Sequence, residues 1–254
     1  MAKKYKLQDV SEPVLYPELY DYDQIPRIVY KAEKPAPLEI PSDFWITDTT
    51  FRDGQQARPP YKVEEIVKLY QFLNRLSGPK GVIRQTEFFL YTDKDKEAVE
   101  KCLSLGLKFP EITAWIRAKK EDFKLVKQFN LKETGILTSI SDYHIFLKLK
   151  KTRKQAIDEY LDVVRQAMNE GIKPRCHFED VTRADFYGLV IPFAQELMKL
   201  SEESGIPVKM RLCDTMGYGL ESPYAEAPRG VGKIIQLMRK EAGVPSEMLE
   251  WHGH

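Results

Sequence analysis

Seven strand-like segments alternate with six helix-like segments from Trp45 onward, and this alternation restricts the fold more than any other feature of the sequence. Short apolar runs predict the strands, and apolar residues at helical spacing predict the helices. Strands that alternate with helices indicate βαβ units on a parallel sheet. The predicted strands are 45–50, 82–89, 110–116, 134–140, 175–179, 208–213 and 248–254, and the predicted helices are 63–76, 94–105, 121–129, 154–169, 184–204 and 230–242.

Two α/β architectures accommodate this pattern, a TIM barrel and a doubly wound open sheet. We favour the barrel because no glycine-rich phosphate turn follows the first strand, and because polar residues recur at the carboxyl ends of the strands, where barrel enzymes place their sites. The pattern therefore predicts a (β/α)8 TIM barrel that stops after strand 7. We expect residues 44–254 to form this incomplete catalytic domain, and the proline-rich residues 1–43 to form an N-terminal extension packed on the barrel.

The composition is that of a soluble enzyme with a sizeable core. Hydrophobic residues make up 43% of the chain, and 39 basic against 38 acidic residues leave a net charge of +1. This balance argues against a nucleic-acid surface, and no apolar run approaches the length of a membrane span. The three cysteines are widely spaced and odd in number, which indicates reduced thiols. Without a signal peptide, these features predict a cytoplasmic protein.

The chain ends in Trp-His-Gly-His, and this His-x-His motif predicts a metal site. Residues i and i+2 of a strand project to the same side, so His252 and His254 can reach one ion together. Asp53, which follows the first predicted strand, is the candidate oxygen ligand. One carboxylate and two imidazoles suit a divalent ion that keeps positions open for substrate. Neighbouring residues at the end of a strand diverge, so Arg52 need not neutralise Asp53.

Further ionisable residues follow the other strands. Arg52 is a candidate for stabilising an enolate or carboxylate oxygen, with an ion pair to Glu87 as the structural alternative. Arg175, His177 and Glu179 share one side of the fifth strand, so Arg175 is a candidate carboxylate ligand and Glu179 a candidate acid or base. The remaining candidates are less specific, because each has an ordinary structural explanation: Thr215 as a hydrogen-bond donor, and Arg117 and His144 as substrate-binding residues.

Several motifs, in order, resemble those of the isopropylmalate and homocitrate synthases. Residues 49–56 read Thr-Thr-Phe-Arg-Asp-Gly-Gln-Gln, which is similar to the Thr-Thr-Leu-Arg-Asp-Gly-Glu-Gln signature of that family. Phe-Glu-Asp at 178–180 with Thr-Arg at 182–183, Asp-Thr-Met-Gly at 214–217 and the terminal His-Gly-His resemble its later motifs. These synthases belong to a group of TIM-barrel metallolyases, named for an Asp-Arg-Glu trio, that also contains the hydroxymethylglutaryl-CoA lyases.

The resemblance assigns roles residue by residue. It implies Asp53, His252 and His254 as metal ligands, for Mn, Mg, Zn or Co, and acetyl-CoA as co-substrate. It places Arg52, Glu87, Glu179 and Thr215 in the catalytic centre. It places Gln56, Arg117 and Arg175 at the substrate, and we add His144 and His177 to that substrate-binding set. It also implies a homodimer for the full-length parent.

Three departures from the family pattern affect the acceptor pocket. Gln55 stands where the family usually has Glu, Phe88 and Phe89 replace small residues, and His177 replaces Ser or Thr. The segments 55–60 and 87–91 most resemble the Re-face citrate synthases of anaerobic bacteria, whose acceptor is oxaloacetate.

The resemblance implies a metal-dependent Claisen condensation of acetyl-CoA with a 2-oxo acid of the oxaloacetate or 2-oxoglutarate type, giving a citrate-like or homocitrate-like product. This would make the protein an acyltransferase. One alternative is a hydroxyacyl-CoA lyase or carboxyltransferase on the same barrel. The other is an inactive fragment that only associates with other chains, and we expect the chain by itself to be poorly active.

Overall fold

A computed structural model describes residues 3–16 and 43–254, which fall into two compact units. The first unit comprises the described part of 41–136 together with Gln166–Pro174. The second unit comprises residues 3–16, Leu137–Arg165 and Arg175–His254. Residues 17–42, which carry most of the predicted N-terminal extension, lie outside the described residues.

Every predicted strand and helix is present. The strands are β1 Ile46–Asp48, β2 Ile83–Phe88, β3 Glu111–Arg117, β4 Glu133–Ser139, β5 Lys173–Glu179, β6 Lys209–Asp214 and β7 Leu249–Gly253. The helices are α1 Val63–Ser77, α2 Asp93–Ser104, α3 Phe123–Gln128, α4 Arg153–Asn169, α5 Ile191–Ser204 and α6 Val231–Lys240. The strands follow the order β1-β2-β3-β4-β5-β6-β7 in one sheet.

Parallel pairing within each unit aligns the carboxyl ends of neighbouring strands. In the first unit β1, β2 and β3 pair in parallel, with Glu87 opposite Thr113. In the second unit β5, β6 and β7 pair in parallel, with Cys213 opposite His252. The α/β prediction is therefore confirmed, and the strand order is that of the first seven strands of a (β/α)8 barrel.

The fifth helix differs most from its prediction. Instead of one helix over 184–204, a 3₁₀ turn at Val181–Arg183 and a π-helical turn at Phe186–Val190 precede α5. Pro192 lies in the first turn of α5, where a missing backbone N–H costs no helical hydrogen bond. The proline therefore marks where regular α-helix begins, because in a longer helix it would remove an interior bond.

The described N-terminal residues pack on the second unit. The Gln8 backbone N–H donates to the Gly188 carbonyl at 2.8 Å, and the Tyr5 hydroxyl donates to Glu241 at 2.9 Å. The Val14 N–H donates to Asp142 at 2.8 Å, and the Tyr143 hydroxyl donates to the Leu15 carbonyl at 2.6 Å. The last two bonds tie residues 14 and 15 to the start of the π-helical turn Tyr143–Lys148, and the first two reach Gly188 and Glu241.

No helix among the described residues is long and apolar enough to cross a membrane. The three cysteines are buried free thiols, as their number and spacing predicted.

Arg153 is the first residue of α4, and its fully buried side chain connects residues 3–16 to this helix. Its guanidinium donates two bonds to Asp142, at 2.8 and 2.7 Å, and a third to Asp185 at 2.9 Å. A fourth bond reaches the Gln8 carbonyl at 3.1 Å. A buried ion pair of this kind stabilises the fold only while both partners are present, because a single buried charge is strongly unfavourable.

We expect Arg153→Ala to lower the free energy of unfolding by about 3 to 5 kcal/mol, because it leaves the buried Asp142 without its cation. Urea denaturation followed by circular dichroism measures this loss. Lys154→Ala is the matched control, since the exposed Lys154 pairs with Asp158 on the helix surface and should have little effect. Equal stability of the two variants would refute the role assigned to Arg153.

Candidate functional site

Residues 49–54 form a tight turn immediately after β1, and this turn carries the Arg-Asp-Gly motif. The backbone N–H groups of Arg52 and Gly54 both donate to the Thr49 carbonyl at 3.1 Å. A Cβ at position 54 would lie 2.8 Å from the Thr50 carbonyl oxygen, so the turn closes only around glycine. The glycine in the motif thus serves the backbone conformation that presents its two charged neighbours.

Arg52 binds two carboxylates at once. Its Nε donates to Glu87 at 2.9 Å and its Nη1 donates to Asp53 at 2.8 Å. The sequence left open whether Arg52 neutralises Asp53. The structure pairs them because β1 ends at Asp48 and residues 52 and 53 belong to a turn, where neighbouring side chains need not diverge. The three groups together carry a net charge of −1, which favours a nearby cation.

The Nη2 nitrogen of Arg52 remains available to a ligand. Arg52 is 7% exposed and Glu87 is fully buried, so this pair is shielded from water. The Nη2 nitrogen of Arg52 is buried and has no hydrogen-bond partner among the described residues. A buried donor without an acceptor is unfavourable, and an anionic oxygen would satisfy it.

A pocket of about 430 Å³ lies beside this turn and is lined in part by Gln56 and Phe89. Gln55 fixes the loop around it: its amide donates to the Phe51 carbonyl at 2.7 Å and its oxygen accepts from the Tyr61 N–H at 3.1 Å. The glutamate usual at this position could accept from Tyr61 but could not donate to Phe51. Glutamine at this departure from the family pattern therefore makes both bonds. Phe88 is buried and stacks on Phe51, whereas Phe89 faces the pocket.

Arg117, at the end of β3, forms an ion pair with a residue that follows the same strand. Its guanidinium donates to both oxygens of Asp122, at 2.9 and 2.8 Å, and lies over the Tyr91 ring. Hydrogen bonds to Asp122 and its negative charge raise the pKa of Arg117 further above its usual range. With its side chain 53% exposed, Arg117 is better explained as a surface ion pair than as a substrate ligand.

In the second unit, Glu179 at the end of β5 contacts three polar side chains. Oε2 accepts from the Ser139 hydroxyl and lies 3.0 Å from His144 Nδ1, and Lys148 Nζ lies 3.4 Å from each carboxylate oxygen. Burial alone would raise the pKa of Glu179, but the bond and charge of His144, the Ser139 hydroxyl and the Lys148 charge lower that pKa to about 2. Glu179 is therefore ionised at neutral pH and lies in ion-pair distance of His144 Nδ1.

Thr215 follows β6 and binds the turn after β5. Its hydroxyl oxygen accepts from the Asp180 backbone N–H at 2.9 Å. Asp180 has the left-handed backbone φ of 66°, and its carboxylate accepts from Arg183 at 2.7 Å. Asp214 caps the next turn by accepting from the N–H of Gly219 at 2.8 Å. Thr215 is thus held at the strand end beside Glu179, where the sequence placed it.

Arg175 and His177, the other two charged candidates on β5, are buried in the strand interior. Arg175 is fully buried, with its Nε 3.2 Å from Glu250, which also accepts from Arg211 at 2.8 Å. Burial alone would raise the pKa of Glu250, but the charges of Arg175 and Arg211 lower it to about 2. His177 is 2% exposed and lies next in line along the same face. This geometry gives Arg175 a structural partner, so a role in carboxylate binding stays a prediction.

The two terminal histidines come together at the end of β7. Their Nε2 atoms are 3.2 Å apart, and both side chains reach solvent. Glu250 lies two residues before His252 on this strand, and the sequence analysis did not predict its part in the buried charge cluster. The two-residue period of a strand, which places positions 250 and 252 on one side, could have identified Glu250. Nothing local in the sequence pointed to Ser139 or Lys148, whose contacts with Glu179 depend on the tertiary fold.

Comparisons with known proteins identify the family of this chain. Residues 43–254 match the family model described as HMGL-like. The Citrate (Re)-synthase of Syntrophus aciditrophicus is 59% identical over 251 residues, 99% of this chain and 40% of that protein. The Citrate (Re)-synthase of Clostridium kluyveri is 54% identical over 250 residues, 98% of this chain and 55% of that protein.

The chain thus spans about half the length of these two relatives or less. In fold, it is similar to the crystal structure of hydroxymethylglutaryl-CoA lyase from Pseudomonas aeruginosa, with a TM-score of 0.59 at 19% identity over 84% of this chain and 69% of that one. The resemblance inferred from the motifs is confirmed. The chain belongs to the HMGL-like family.

Proposed function

We propose that this chain carries catalytic residues for the metal-dependent condensation of acetyl-CoA with oxaloacetate to citrate. The observation that carries the proposal is the extensive identity, over nearly the whole chain, to two citrate (Re)-synthases. In the balanced reaction, acetyl-CoA, oxaloacetate and water give citrate and free coenzyme A. The acetyl methyl loses a proton, a carbon–carbon bond forms to the oxaloacetate carbonyl, and water cleaves the thioester.

A divalent metal ion fits the donor set at the end of β7. Two imidazole nitrogens that bind one Zn²⁺ at about 2.0–2.1 Å in tetrahedral geometry stand about 3.3–3.4 Å apart. The Nε2 atoms of His252 and His254 are 3.2 Å apart, close to that separation. We assign Asp53 as the third ligand. When bound, the ion would polarise the 2-oxo acid carbonyl as a Lewis acid.

Arg52 would bind the oxygen that becomes negative during carbon–carbon bond formation. Glu87 and Asp53 hold its guanidinium in place through Nε and Nη1, and Nη2 remains for the ligand. Because Arg52 is shielded from water and already oriented, the interaction requires little reorganisation as charge develops. This role needs a planar, multidentate cation, which lysine does not provide.

The Glu179–His144 pair is the proposed acid–base group. Glu179 stays ionised, and its Oε2 lies 3.0 Å from His144 Nδ1, so the carboxylate holds the imidazole beside it and we assign His144 as the proton-transfer group. Thr215, fixed by the Asp180 N–H, would donate its hydroxyl proton to a substrate oxygen. In this arrangement Glu179 orients and stabilises the base and does not act as a general acid at neutral pH.

The metal assignment predicts that Zn²⁺ or Mn²⁺ raises the thermal midpoint of the wild-type chain. At a hundred times the dissociation constant, binding adds about 2.7 kcal/mol to the free energy of unfolding. His252→Ala and His254→Ala should each remove most of this effect, whereas His144→Ala should retain it. Stabilisation by metal that survives the double variant His252→Ala/His254→Ala would refute the site.

The role of Arg52 predicts that Arg52→Lys lowers kcat about 100- to 1,000-fold, because the donor to the developing oxyanion is lost. Release of free thiol from acetyl-CoA in the presence of oxaloacetate measures the rate. Arg58→Lys, on the same loop and stacked on Tyr61, is the control and should keep wild-type activity. Circular dichroism checks that the Arg52→Lys variant remains folded. A rate unchanged in Arg52→Lys would exclude this role, and thiol release absent with every 2-oxo acid would show that this chain by itself does not catalyse the reaction.

The low pKa of Glu179 predicts that this carboxylate does not set the acid limb of the pH–rate profile. Its folded pKa of about 2 lies below the usual value, so the ionised form persists down to about pH 3. Glu179→Gln should therefore lower kcat at every pH from 5 to 9 without creating or removing an acid limb. A profile whose acid limb disappears in Glu179→Gln would show instead that Glu179 titrates in the working range.

A further inference from the structure

Lys148 differs from the other cations that surround the end of β5. Four arginines of the second unit on or near β5 and β6 are at least nine-tenths buried: Arg175, Arg183, Arg211 and Arg229. Three of them bind carboxylates, and Arg229 donates to the Tyr218 carbonyl at 3.0 Å. The Lys148 side chain is instead 51% exposed. Solvent, and therefore a dissolved anion, reaches this ammonium.

The distances from Lys148 to its acceptors are long for an ion pair. Its Nζ lies 3.4 Å from both oxygens of Glu179, whereas buried pairs nearby, such as Arg183–Asp180, have N–O distances of 2.7 Å. A half-exposed pair at this separation contributes little to stability. An ammonium carries three donors, so contact with Glu179 leaves donors for a second acceptor. Lys148 can therefore bind another anion without leaving Glu179.

The local fold holds Lys148 beside the proposed base. His144 and Lys148 lie one turn apart on the π-helical turn Tyr143–Lys148, and both contact Glu179. The Leu149 N–H donates to the His144 carbonyl at 2.8 Å, the i to i+5 bond that defines this turn. The N-terminal residues 3–16 bind the start of this turn, because the Tyr143 hydroxyl donates to the Leu15 carbonyl. The ammonium is thus presented by an anchored segment.

We propose that Lys148 is a substrate-binding residue whose ammonium binds a carboxylate of the 2-oxo acid. The inference rests on the proposed function, because oxaloacetate carries two carboxylates and the reaction takes place beside Glu179 and His144. The buried arginines of this unit are already held by protein acceptors. Lys148 supplies the accessible positive charge that a dianionic acceptor needs, as a compact point charge.

The test compares Lys148→Gln, Lys148→Arg and Lys151→Gln. Lys151 is three residues away and pairs with Glu159 on the surface, so its substitution removes the same charge outside the site. Lys148→Gln should raise the KM for oxaloacetate at least tenfold, because a charge-assisted contact is lost. The KM for acetyl-CoA should stay within about twofold and the thermal midpoint should not change. Lys148→Arg should restore most of the oxaloacetate KM, and Lys151→Gln should behave as wild type.

Calorimetric binding of oxaloacetate in the presence of Mg²⁺ separates this inference from the reaction. Tenfold weaker binding in Lys148→Gln supports the inference even if no thiol is released, and in that case only the condensation is refuted. Equal binding in wild type and Lys148→Gln overturns the inference while leaving the condensation in place. A wild-type chain that binds no oxaloacetate overturns both. A rise in both KM values with a lower thermal midpoint also overturns the inference, since it indicates a structural role.

Discussion

The pairing of buried charges is the constraint on which the described structure depends. Arg52 with Glu87, Arg153 with Asp142, Arg183 with Asp180 and Arg211 with Glu250 place guanidinium groups and carboxylates where water is largely excluded. Each charge is tolerated because its partner is present, so the loss of one member leaves the other uncompensated. These pairs lock turns and strand ends into one conformation.

The same pairing decides which atoms remain for chemistry. Arg52 is bound on Nε and Nη1, so only Nη2 is directed to a ligand. The hydroxyl and the positive charges around Glu179 keep it ionised despite its burial, and we assign proton transfer to His144. The adjacent imidazoles of His252 and His254, and the exposed ammonium of Lys148, complete the accessible polar groups from which the proposed function is built.

The sequence predicted the regular elements well because their signals are local. Apolar runs marked all seven strands and helical spacing marked all six helices, since each buries a continuous face or stripe. The prediction was poorer where the chain leaves regular structure. Arg52 and Asp53 were placed at the end of a strand, but β1 ends at Asp48 and the turn after it brings both side chains together. The helix predicted over 184–204 begins with 3₁₀ and π-helical turns, which its apolar pattern does not distinguish.

The sequence by itself determined the α/β class, the succession of strands and helices along the chain, and the motifs that identify the family. Each of these depends on neighbours a few residues apart. The tertiary structure alone decided how the charged residues are partnered. Whether Arg175 binds Glu250, Arg117 binds Asp122, or Lys148 reaches Glu179 depends on distances between segments far apart in the chain. Electrostatic energy is set by separation and burial in space, and neither quantity can be read from a linear pattern.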